Sequence, residues 1–66
     1  MKHLPWTGHR CLPDGNGVLR LDAELGTYVA SRYTPDSHGA LHETDHRYGD
    51  YQTCWQQIAD WYGEVA

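Results

Sequence analysis

The sequence lacks phenylalanine altogether and has one methionine and two cysteines among its 66 residues. Because aliphatic residues are also few, a core must draw on the three tryptophans and five tyrosines, which bury roughly 150–250 Å² each. A chain this short buries only about 60% of the surface that it exposes when unfolded. We therefore expect one small domain, residues 1–66, with a thin aromatic core.

Long apolar runs are also missing. No stretch approaches the roughly 18 apolar residues of a membrane span, and the first residues lack the apolar segment of a signal peptide. We therefore expect a cytoplasmic, reducing setting, in which Cys54 is a buried apolar side chain rather than half of a disulfide. Phe, Ile, Asn and Lys total only three residues, a composition typical of GC-rich genes, so we expect a bacterial or phage origin.

Positive charge is scarce as well, since five bases stand against nine acids and the formal net charge is −4. All five bases precede residue 50, and every charged residue from Asp50 onward is acidic. Proteins that bind phosphate backbones usually carry clustered lysine and arginine. General binding of nucleic acids is therefore disfavoured.

The clearest pattern that is present predicts a C-terminal amphipathic helix over residues 50–63. Its apolar residues recur at i, i+4, i+7 and i+11, as one helical face requires. These residues are Tyr51, Trp55, Ile58 and Tyr62. Asp50 is a suitable N-cap, and Gly63 is suited to the position just after a helix. A helix with so narrow a stripe is marginal alone, so it must pack against another part of the chain.

Residues 17–48 predict three antiparallel strands. Leu19 and Leu21 alternate with polar residues after a turn at residues 14–17, and a loop at residues 24–26 leads to the β-forming segment 27–34. Residues 40–48 are bounded by glycines and favour a third strand, with a short helix as the alternative. Residues 1–16 show no periodic pattern and are predicted to be an irregular arm. The expected fold is α+β, a three-stranded β-meander with the helix on one face (β-β-β-α).

The hairpin register decides which side chains share a face. If Ala23 pairs with Thr27, one set of alternate residues faces the helix and the other faces outward. The predicted helix-facing set is Leu19, Leu21, Val29, Ser31 and Tyr33. The predicted outward set is Arg20, Asp22, Tyr28, Ala30 and Arg32.

Residues 42–46 match H-E-x-x-H, in which two histidines on a helix bind zinc and the glutamate activates water. Such proteases need a long helix, a third ligand and a cleft, so we expect no enzymatic activity, cofactor or metal. A structural zinc site is the weaker alternative. Its candidate ligands are His42, His46, Cys54, Cys11 and His9.

By elimination, we expect a small acidic protein-interaction module. It would be a bacterial or phage-encoded regulator or inhibitor that binds a larger host protein, and a homodimer formed through an edge strand or a helix flank is a further expectation. Trp, Tyr and Arg dominate interface hot spots. The candidate contact residues are Trp61, Tyr28, Arg32 and Arg20, with Asp60 and Glu64 as an acidic rim. The alternative is a nucleic-acid-binding sheet that uses Arg20, Arg32, Arg47 and Tyr28.

Overall fold

The computed structural model describes residues 8–65, which form an antiparallel sheet and one helix. The elements are β1 (Gly8–Leu12), β2 (Gly15–Asp22), β3 (Thr27–Pro35), β4 (Leu41–Gly49) and α1 (Tyr51–Val65). The strands lie in the order β1-β2-β3-β4, each antiparallel to its neighbour. The α+β class and the C-terminal helix are confirmed. The sheet has four strands and not the predicted three.

The additional strand lies within the predicted irregular arm. The first seven residues of that arm lie outside the described residues, but Gly8–Leu12 pairs along β2, with Arg10 opposite Gly17. Only the two end residues of β1 are buried, so the segment has none of the apolar alternation that identifies a strand in a sequence. Backbone pairing with β2 makes it a strand.

The β2–β3 hairpin differs from the predicted register by one residue. Asp22 pairs with Thr27, so the loop contains four residues, 23–26. The Asp22 carboxylate accepts the N–H groups of Glu24 and Leu25 at 3.0 and 3.2 Å, and Gly26 closes the turn at a φ of 69°. These local bonds favour the longer loop over the expected three-residue loop.

That shift exchanges the two faces of β3 relative to β2, because side chains alternate along a strand. Leu19 now pairs with Ala30 and Leu21 with Tyr28, so Ala30 and Tyr28 lie on the helix side. Val29 belongs to the opposite face. The predicted division of faces was therefore wrong for β3, including its expected outward placement of Tyr28, Ala30 and Arg32 and its helix-facing placement of Val29, Ser31 and Tyr33.

The helix begins as predicted but packs with a different stripe. Asp50 caps it, since its Oδ1 accepts the Thr53 N–H at 2.7 Å. Gly63 does not end it, because α1 continues to Val65 and Gly63 is not in the left-handed region. The buried residues are Cys54, Ile58 and Trp61. Of the predicted stripe, Ile58 is buried as expected, whereas Trp55 is half-buried and Tyr51 and Tyr62 are exposed.

The core lies between α1 and the helix-facing side of the sheet. Its buried residues are Leu12, Leu19, Ala30, Cys54, Ile58 and Trp61, with Tyr28 and Trp55 packed against them. The helix comes close to β2 at Gly17, where an added Cβ would lie 2.9 Å from the Ile58 Cγ2 atom. Within residues 8–65, α1 is too short and too polar to cross a membrane.

Candidate functional site

The sheet has a second face, which points away from α1 and which we call the outer face. By register and strand alternation it carries His9, Cys11, Val18, Arg20, Val29, Ser31, Tyr33, Glu43, His46 and Tyr48. The one helix of the described residues packs on the other face. No described element packs on the outer face, although two of its residues, Val29 and Ser31, are buried.

Two cross-strand rows form the centre of the outer face. Arg20, Val29 and Tyr48 lie side by side on β2, β3 and β4. Val29 is only 1% exposed, whereas Tyr48 is 46% exposed, so a closely packed centre is bordered by an accessible aromatic ring. The rings of Tyr48 and His46 meet edge to face with centroids 5.6 Å apart, which holds the tyrosine in place.

The neighbouring row contains Val18, Ser31 and His46. Ser31 is completely buried, and its hydroxyl has no hydrogen-bond partner among the residues that the structure describes. A buried hydroxyl without a partner is costly.

Arg20 is the arginine of the described segment for which the structure gives no ion pair, cation–π contact or side-chain hydrogen bond. Arg32 is paired with Asp14 and Glu64, and Arg47 donates to Gln57 Oε1 at 3.2 Å. Arg10 lies over the ring of Tyr62, 4.3 Å from its centroid. The half-buried Arg20 thus presents an uncompensated cation on the outer face.

The other predicted contact residues lie elsewhere. Trp61 is 3% exposed and belongs to the core. Tyr28 packs against that core and meets Tyr51 edge to face at 5.4 Å. The Arg32 side chain is 17% exposed and is occupied by its two ion pairs. The one-residue shift of the hairpin places Tyr28 and Arg32 on the helix side of β3. Trp61 is buried because the helix packs on the sheet with Cys54, Ile58 and Trp61.

The two residues of the predicted acidic rim, Asp60 and Glu64, are exposed, and each contacts a polar side chain of this chain. Asp60 accepts a hydrogen bond from Gln56 at 3.0 Å, and Glu64 lies 3.5 Å from Arg32. A shallow polar groove of about 300 Å³ lies beside Asp60 and is lined by polar residues of α1 and by Arg47 of β4. Two pairs of its lining side chains hydrogen-bond to each other, Arg47 with Gln57 and Gln56 with Asp60.

The strand arginines do not form a single basic surface. Arg20 lies on the outer face, whereas Arg32 and Arg47 share the helix side with Tyr28. A nucleic-acid site made of these four residues on one face, which the predicted register would have produced, is therefore not assembled in this sheet.

The H-E-x-x-H segment lies on β4, where a bulge separates its histidines. Asp45 pairs with Arg32, but Glu43 pairs with Tyr33, so Thr44 is an extra residue and the alternation of faces reverses across it. His46 Nδ1 lies 3.2 Å from Glu43 on the outer face. His42 is on the other side and contacts Asp36 at 2.7 Å.

The remaining zinc candidates are also separated. Cys54 is buried between α1 and the sheet, whereas Cys11 is exposed on the outer face of β1. Burial raises the pKa of the Cys54 thiol, which disfavours the thiolate that zinc requires. Within residues 8–65 no three His, Cys, Asp or Glu side chains are grouped as metal ligands.

Comparison with known proteins finds no match to a family model, a curated protein or a solved structure. Function is therefore inferred from the chain's own residues. Of the predicted contact residues, Arg20 lies on the outer face, which also carries Tyr33, His46 and Tyr48. Sequence alternation could have placed these residues together only with the correct hairpin register and the bulge.

Proposed function

We propose that this chain is a small protein-interaction module that binds a larger protein through its outer face. The observation that carries the proposal is the placement of Arg20 and Tyr48 in one cross-strand row, on a sheet face on which no described element packs. Arginine and tyrosine are enriched at interface hot spots. A paired sheet holds them in fixed positions, so little conformational entropy is lost on binding.

Arg20 gives this surface its chemical preference. Its charge has no acidic partner within the described segment, and its row neighbour on β3 is the buried Val29. A carboxylate on the partner would supply the missing counter-charge in bidentate geometry. We therefore propose a partner that presents an acidic residue next to an apolar one, which would fit beside Tyr48.

The mode of action that suits a 66-residue chain is occupation of a surface on its partner. A domain of this size has little room for a substrate cleft. A bacterial or phage-encoded regulator or inhibitor of a larger protein remains the biological role that we propose. Nucleic-acid binding has less support, since Arg20 is separated from Arg32 and Arg47.

Affinity capture with matched variants tests the proposal. The outer-face variant is Arg20→Ala combined with Tyr48→Ala, and the control is Gln52→Ala combined with Asp60→Ala on the exposed side of α1. We expect the wild-type chain and the control to capture the same protein from a lysate of the source cells. The outer-face variant should bind the purified partner roughly 1,000-fold more weakly, since two hot-spot residues at about 2 kcal/mol each contribute about 4 kcal/mol.

Circular dichroism should first show that both double variants are folded. Equal binding by the outer-face variant and the wild-type chain would contradict the proposal. So would loss of binding in the Gln52→Ala, Asp60→Ala control alone, because that result would place the contact on the helix. Capture of oligonucleotides with strong salt dependence would favour the nucleic-acid alternative.

A further inference from the structure

The strand β4 is an edge of the sheet and is open to solvent. Within residues 8–65 it pairs only with β3, and all residues from position 41 to 48 are exposed. A strand of nine residues with one unpaired edge can serve as a template for strand addition by another protein or by a second copy. Such addition would produce the edge-to-edge homodimer that the sequence leads us to expect.

The bulge at Thr44 interrupts this edge. Thr44 has no partner residue on β3, because Arg32 lies opposite Asp45 and Tyr33 lies opposite Glu43. Its hydroxyl donates to the Arg32 carbonyl oxygen at 3.4 Å and accepts from the Thr34 hydroxyl at 3.3 Å. The Thr44 side chain thus ties the bulge to β3. A fixed bulge breaks the regular spacing of backbone groups that an added strand would need.

Directly after the bulge, Asp45 occupies a backbone donor of the edge strand. Its Oδ1 accepts the N–H of His46 at 2.8 Å. A donor that is already bound to a side chain of its own strand is not available to the carbonyl of an approaching strand.

We propose that the Asp45 carboxylate, placed directly after the Thr44 bulge, protects the β4 edge against strand addition by occupying the His46 N–H. The chain then remains unpaired along β4, and protein contact is directed to the outer face. The opposite edge, β1, has five residues and is followed by Pro13. A short edge strand next to proline is a poor template as well. This protection acts whether or not the outer face binds a partner.

The association state of three single variants, measured by sedimentation equilibrium, tests whether Asp45 protects the β4 edge. Asp45→Ala removes both the charge and the acceptor, Asp45→Asn keeps an acceptor oxygen without the charge, and Asp60→Ala removes the same charge from the helix. We expect the wild-type chain, Asp45→Asn and Asp60→Ala to be monomeric at concentrations at which Asp45→Ala self-associates. A monomeric Asp45→Ala would overturn the proposal, as would a wild-type chain that already associates through β4. Equal association of Asp45→Asn and Asp45→Ala would also overturn it, because charge and not the occupied donor would then be responsible.

Amide hydrogen exchange keeps the proposal testable if Asp45→Ala does not fold. In the wild-type chain, the His46 N–H should exchange with solvent more slowly than an edge-strand amide that lacks a hydrogen-bond partner. Where Asp45→Ala does fold, that N–H should exchange roughly tenfold faster, as expected for the loss of one hydrogen bond. A wild-type His46 amide that exchanges as fast as the amides of the exposed loop at residues 36–40 would overturn the proposal by itself.

Discussion

The two cysteines illustrate how strongly the position of a residue changes its chemistry. Cys54 is fully buried in the core, and its Sγ lies 3.7 Å from the Arg47 carbonyl oxygen. Burial raises the pKa of its thiol, because the thiolate would lose its hydration. Cys11 is exposed on the other side of the sheet. Pairing of the two within one chain would require the sheet to open.

We predict that one thiol of the native chain reacts with a thiol-specific reagent and that the second reacts only after denaturation. The thiolate is the nucleophile, and access to Cys54 requires the helix to leave the sheet. Counting modified thiols by mass spectrometry with and without urea measures this. Cys11→Ser is the control and should abolish the native reaction. Rapid modification of Cys54 in that folded variant would show that the core is more open than the structure indicates.

At the scale of elements, Gly17 fixes the distance between β2 and α1. A Cβ at this position would lie 2.9 Å from the Ile58 Cγ2 atom, and Ile58 is fully buried. Gly63, in the last turn of α1, has no atom within 4 Å of such a Cβ. The two glycines therefore form a matched pair for testing how closely the helix is packed.

We expect Gly17→Ala to destabilise the chain by about 1–3 kcal/mol, the usual effect of overpacking a core. Gly63→Ala should be neutral or stabilising by up to roughly 1 kcal/mol, since alanine favours a helix over glycine. Urea unfolding followed by circular dichroism measures both. Equal unfolding midpoints for Gly17→Ala and the wild-type chain would mean that α1 does not lie on β2 as closely as described.

The β3–β4 turn depends on one carboxylate. Asp36 Oδ1 accepts the N–H groups of His38 and Ala40 at 2.8 and 3.1 Å, and Oδ2 contacts His42 at 2.7 Å. The backbone hydrogen bond from His38, followed by the bond from His42, holds the pKa of Asp36 below its ordinary value of 3.8. The ionised form is thus favoured in the folded chain.

A lowered folded-state pKa means that Asp36 stabilises the fold above its unfolded pKa. This contribution is lost as the pH falls through the lower folded-state pKa. We therefore expect Asp36→Asn to be less stable than the wild-type chain at neutral pH, with the difference shrinking in acid below the unfolded pKa. Urea unfolding across this pH range measures it, with Glu24→Gln as an exposed-loop control. A difference that is constant with pH would show that the charge of Asp36 is not involved.

At the scale of the whole molecule, polar contacts join parts that are distant in sequence. Arg32 of β3 pairs with Asp14 between β1 and β2 at 3.0 Å and with Glu64 near the end of α1 at 3.5 Å. The Thr27 hydroxyl donates to the Gly49 carbonyl oxygen at 2.7 Å, joining β3 to the end of β4. The helix is thus held on one side of the sheet at its C-terminal end, while the outer face is left to Arg20 and Tyr48.

The sequence by itself determined the features that depend only on residues close to one another along the chain. The spacing of apolar residues predicted the helix, and Asp50 marked its start, because a cap needs only the next turn of backbone. The strand at residues 27–34 likewise follows from local composition and turns, and the strand favoured over a short helix at residues 40–48 is confirmed. These elements define the α+β class.

The tertiary structure alone decided which side chains face the helix. β1 became a strand only by pairing with β2, and the Asp22 loop shifted the hairpin by one residue. The helix rotated so that Trp61 was buried, and the Thr44 bulge separated His42 from His46. A change of one residue reverses the face of every side chain on a strand. Sequence alternation therefore cannot locate the outer face without the pairings that fix the register.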